Sequence, residues 1–179
     1  MVRRQVQLIA PLVALVMALV LGTTAAHAGG GPEKVFAGKV VVSDKRFPTA
    51  AKSPAAYTAL VRKQAKVKFQ ENKATKGWKI HFAAFLRKPL ADIEVSVKIL
   101  DASTRPATLL SSFDQYLDTR GQRAIISSFT LERSVVGVNK SVTIQLESGG
   151  VALATGKFQI LGDAEVYSGK VDFSESDTK

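Results

Sequence analysis

From about residue 66 onward, apolar and polar residues alternate with a period of two, the spacing that places successive side chains on opposite faces of a β-strand. Trp78, Ile80, Phe82 and Ala84 alternate with Lys79, His81 and Ala83, and Ile93, Val95, Val97 and Ile99 alternate with Glu94, Ser96 and Lys98. Before them, Val67 and Phe69 are expected to face inward, opposite Lys66, Lys68 and Gln70, on a strand that pairs with 78–84 across a turn at 71–77. Further strands are predicted over 108–117, 123–132 and 141–147. Ser148, Gly149 and Gly150 then form a hairpin turn, and a return strand over 151–161 is expected to bulge at Gly156.

The earlier part of the chain reads differently. Residues 35–43 form a β-branched strand with Phe36, Gly38, Val40 and Val42 on one side, and residues 45–52 break it. Ser53 followed by Pro54 is a helix start, because serine caps the first free N–H groups and proline tolerates the first helical position. A helix is therefore predicted over about 54–65, with Tyr57, Leu60 and Val61 on its apolar stripe. About eight short strands and one early helix predict an all-β domain, an antiparallel immunoglobulin-like β-sandwich spanning 35–173 and followed by a disordered tail at 174–179. The Cys-Trp-Cys signature is absent, and Trp78 is the candidate for the central core position.

The extreme N-terminus changes the picture again. Arg3 and Arg4, an apolar run over 8–21 and the Ala26-His27-Ala28 site make up a secretory signal peptide at 1–28, followed by a flexible leader at 29–34. The run is too short for a spanning helix and contains Pro11. An exported protein, periplasmic or extracellular, is expected. The chain has no cysteine, so it forms no disulfide and carries no lipid anchor at a processed N-terminus, and its core alone must stabilise it.

The formal charge is +10 and is unevenly distributed. Residues 34–88 carry fourteen Lys or Arg against Asp44 and Glu71, whereas residues 89–179 carry nine against twelve Asp or Glu. Arg62, Lys63, Lys66, Lys68, Lys79 and His81 are thereby predicted to form a basic surface for an anionic envelope component, whether lipid head group, acidic glycan or acidic protein. Nucleic acid is not expected as a partner in an exported compartment.

Catalytic chemistry finds little support. With His27 removed, His81 is the one remaining histidine, too few for a nucleophile-base arrangement or a zinc site. Phosphate-loop and dinucleotide glycine motifs are absent, and no cofactor or metal is expected. The alternative is a carboxylate-based glycan hydrolase, or its structural accessory subunit, which requires two carboxylates within about 5 to 10 Å in a groove. Residues 35–44 and 166–175 also share Val, Gly, Lys, Val and Ser at equivalent positions. This similarity fits two strands in equivalent environments, or ribbon strands that pair with each other or with a partner by edge addition.

Overall fold

The computed structural model describes residues 31–163. The expected signal peptide, its cleavage site, the 166–175 segment and the 174–179 tail lie outside the described residues. In chain order the elements are α1 (Pro32–Val35), β1 (Lys39–Ser43), α2 (Pro54–Gln64), β2 (Lys68–Gln70), β3 (Gly77–Phe85), β4 (Glu94–Asp101), β5 (Thr108–Tyr116), β6 (Ala124–Glu132), α3 (Arg133–Val136), β7 (Lys140–Ser148) and β8 (Val151–Leu161). The period-two segments are therefore strands. The helix begins as its sequence dictates, with the Ser53 hydroxyl accepting from the Ala56 N–H at 3.1 Å.

All eight strands belong to one curled, mixed sheet in the order β5-β4-β7-β8-β1-β3-β6, with β2 also paired to β8. Two pairings are parallel, β1 with β8 and β2 with β8, so the sheet departs from the antiparallel arrangement expected. The expected hairpin between the 66–70 strand and β3 is reduced to an isolated bridge, Asn72 to Gly77. Instead β3 lies antiparallel between β1 and β6. The reason is that β1 and β2 share one lane along β8. Lys39 is level with Thr155, and Lys68–Gln70 with Gln159–Leu161. Between these two pieces the chain leaves the sheet to form α2. It returns at Lys66, whose N–H donates to the Val42 carbonyl at 2.9 Å.

Gly156 makes the shared lane possible. A β-carbon there would lie 2.3 Å from the Val40 carbonyl oxygen, so only glycine lets β1 approach so closely. The bulge expected at Gly156 lies instead at Leu153, where the register steps from Leu146–Ala154 to Glu147–Ala152.

The curl encloses the main core. Val40 and Val42, Phe69, Trp78, Ile80 and Phe82, Val95, Val97 and Ile99, Val142, Ile144 and Leu146, and Phe158 and Ile160 are all buried in it. Trp78 satisfies its indole N–H on the Leu161 carbonyl at 3.1 Å. At the open side, the inward residues of the end strands β5 and β6 meet. Phe113 and Phe129 have ring centroids 5.8 Å apart, and the Ser127 hydroxyl donates to Gln115 Oε1 at 2.6 Å.

A second, smaller core lies on the outer face, where α2 covers part of β1, β3 and β6. Phe47, Val61, Ala83 and Phe85 are buried there, with Phe36, Val41, Tyr57, Ala124 and Ile126 packed around them. Several inward assignments change as a result. Phe36 does not share the face of Val40 and Val42, because the chain turns at Gly38 (φ +74°) and Phe36 stacks on Phe85 at 5.3 Å. Val67 and Ile93 are exposed, since each precedes the first residue of its strand. Pro32, expected in a flexible leader, is buried in the turn of α1.

Candidate functional site

The residues predicted to form one basic surface separate into four places. Lys63 and Lys66 line a groove of about 430 Å³ where the end of α2 meets the chain leaving β1, together with Ser43, Asp44, Lys45, Leu60, Gln64 and Ala65. Lys79 and His81 stand on the outward face of β3, and the register places His81 level with Ser43 at the groove's edge. Arg62, on another side of α2, lies 6.0 Å from the centre of the Phe36 ring. Lys68 faces a separate depression over β7 and β8, alongside Ser141, Lys157 and Gln159.

The groove is assembled by the excursion of α2. At its base the buried Ser43 accepts the Lys45 N–H on its hydroxyl at 3.0 Å, which holds the chain as it turns out of β1. On the opposite wall the last turn of α2 presents Leu60, Lys63 and Gln64. The two walls are joined by Lys66 Nζ on Asp44 Oδ2 at 2.6 Å, a half-exposed ion pair. The hydrogen bond from Lys66 holds the Asp44 carboxyl below its ordinary range. Lys45 and Lys63 form no ion pair among the described residues, and the groove has net positive charge with Asp44 as its one carboxylate.

His81 is biased toward its neutral form. Burial is the largest cause, and Lys79 and Arg46 add to it, while Asp44 acts in the opposite direction. Arg46 thus belongs to the same electrostatic neighbourhood. Asp44, Lys45, Arg46 and Gln64 were missed by the sequence reading, which treats 45–52 only as a break between elements. The available signal was two cations, Lys45 and Arg46, next to the end of a strand, the position where a chain leaving a sheet often lines a surface site.

A second groove, of about 350 Å³, has the opposite charge, with Asp92, Glu94 and Glu147 on its walls together with Arg120. Asp92 accepts a hydrogen bond from the Ser148 hydroxyl. Glu147 pairs with Lys98, which lowers its pKa, the direction opposite to that of a general acid. No cluster of three His, Cys, Asp or Glu residues fit to hold a metal occurs among the described residues. No helix among them is long and apolar enough to cross a membrane.

Compared with protein-family models, curated proteins and solved structures, the chain shows no significant similarity to any.

Proposed function

We propose that this chain is an exported, non-catalytic binding protein whose cationic groove takes an anionic group of an envelope component. The observation that carries this reading is the convergence on one concavity of Lys45 from the chain leaving β1, Lys63 from α2 and Lys66 from the chain just after it, against a single carboxylate. A merely solvated basic surface would not need to be concave. The charge balance of the N-terminal half and the leader pattern at 1–28 support the same reading. In it, the curled sheet acts as an immunoglobulin-like scaffold, supported by its dominance of the fold and by the burial of Trp78 in the core it encloses.

The test is retention of the protein on anionic and on neutral vesicles or glycan resins, at about 0.05 M and 0.5 M salt, across which screening of exposed charge rises steeply. The unsubstituted chain is expected to be retained on the anionic phase at low salt only. Replacing Lys45, Lys63 and Lys66 together by Glu is expected to abolish retention with little change in Tm, since exposed charges contribute about 0 to 1 kcal/mol each. Equal retention of the two proteins would overturn the proposal.

The alternative, carboxylate-based glycan hydrolysis, draws on the acidic groove around Asp92, Glu94 and Glu147. It predicts reducing-end release from envelope glycans that Glu94→Gln abolishes.

A further inference from the structure

We propose that the open seam between β5 and β6 is a strand-addition site, and that its occupant is residues 166–175 of this same chain. The seam is where the curled sheet fails to close. The sheet order begins with β5 and ends with β6, and among the described residues no backbone hydrogen bond joins the two. Over nearly their whole length their Cα atoms lie more than 8 Å apart, whereas paired strands are spaced by about 4.8 Å. Side chains nevertheless meet across the opening, Ser127 with Gln115 and Phe113 with Phe129. The opening is therefore about two strand spacings wide, roughly 10 Å, the room that one added strand needs.

Two features mark the seam as incomplete. Each edge leaves a nine-residue strand without a partner on one side, and neither β5 nor β6 carries the Lys or Pro that blunts an open edge. Inside the curl, Phe113 and Phe129 are only half-buried, whereas Val97 and Ile80, beside them in the ladders, are 0% exposed. At one end the seam opens into a groove of about 280 Å³ between Gln115 and Tyr116 of β5 and Ala124, Ile125 and Ile126 of β6. At the other end the chain beyond β8 begins, since Arg133, the residue after β6, donates from Nη2 to the Asp163 carbonyl at 2.6 Å. Residues 166–175 lie outside the described residues, but their sequence suits the seam. Tyr167, Val171 and Phe173 alternate with Ser168, Lys170 and Asp172, the pattern of a strand with one face toward a core. The stretch they resemble, 35–44, contains strand β1 at Lys39–Ser43. Entering beside Glu132, the segment runs antiparallel to β6 and parallel to β5. With Val166 level with Glu132, Gly169 falls level with Phe129, where the meeting rings leave least space for another side chain.

The test is disulfide trapping in the full chain, which has no cysteine of its own. Ser128→Cys, at an exposed position of β6, is combined in turn with Ser168→Cys, Lys170→Cys and Asp172→Cys, which cover that register and its neighbours. A disulfide needs Cα atoms within about 7 Å. Mild oxidation is expected to give an intramolecular disulfide in at least one of the three, read by intact mass and gel mobility. Lys79→Cys with the same three, one strand further away on β3, is expected to give none. Amide hydrogen exchange of the full chain supplies a second readout. Phe173→Asp is expected to speed exchange of the β5 and β6 edge amides on the order of tenfold, the loss of about one hydrogen bond each, and to leave β7 and β8 unchanged. Disulfides between two chains would place a second copy in the seam, and the absence of any disulfide from Ser128→Cys would leave it to a strand from another protein. Either result overturns the proposal, as does equal trapping by Lys79→Cys or unchanged exchange in Phe173→Asp.

Discussion

Asp101 is 3% exposed and carries a charge, and its partners explain how the sheet tolerates it. Lys140 Nζ lies 2.8 Å from its carboxylate and the Ser103 N–H donates to it at 2.9 Å, so its pKa is lowered, with the Lys140 hydrogen bond as the largest cause. Removing one partner leaves a buried charge uncompensated. Lys140→Met is therefore expected to destabilise by about 3 to 5 kcal/mol, read by chemical denaturation, whereas Lys79→Met on the exposed face should change stability by under about 1 kcal/mol. Because the folded pKa of Asp101 is depressed, its contribution is complete above the unfolded value near 3.9 and is lost as pH falls through the folded value. The sign for His81 comes from the opposite protonation chemistry. The folded state resists the proton that the unfolded chain accepts near pH 6.5, so stability declines as pH falls below about 6.5. His81→Gln is expected to flatten that part of the stability profile, and an unchanged slope would remove His81 as its cause. At Gly156, replacement by Ala is expected to cost at least about 1 to 3 kcal/mol, the overpacking range, because backbone must move. Gly156→Ala should therefore melt earlier than the unsubstituted chain.

The elements show what an alternating pattern can and cannot convey. In β4, Val95, Val97 and Ile99 are buried and Glu94 is exposed, as period two requires. Val97→Asp is expected to prevent cooperative unfolding by placing an unpaired carboxylate in the core, while Glu94→Gln leaves the thermal melt nearly unchanged. Lys98 has a partner in Glu147 across the β4–β7 ladder, so Lys98→Met should fall between the two. The alternation also fixed which side of β3 carries Lys79 and His81. It could not fix partners, because pairing is decided between segments far apart in sequence. The short β2, with one buried residue, Phe69, has no register preference strong enough to hold a hairpin with β3. The close approach at Gly156 brings β1 alongside β8, a relation invisible to a local pattern. The groove was half legible for a related reason. Lys63 and Lys66 follow from helix and charge patterning, but Asp44 and Lys45 sit in irregular chain.

For the molecule as a whole, β8 has a position out of proportion to its place near the C-terminal end. It stands in the middle of the sheet order, with β5, β4 and β7 on one side and β1, β3 and β6 on the other. A chain ending at Gly150 would keep both groups of three strands but lose their common partner, along with Phe158 and Ile160 from the core. It is expected to show no cooperative melt and to bind a hydrophobic dye, and a sharp transition from this truncation would show that the halves are independent. The consequence extends to the time course of synthesis. Pairing of β1 with β8 joins residues 39 and 155, so the native sheet cannot close until almost the whole described chain has emerged. Long-range closure of this kind is slow. Under the export proposed above, that delay would keep the nascent chain translocation-competent, because the strand that locks the sheet is the last of the described strands to be made.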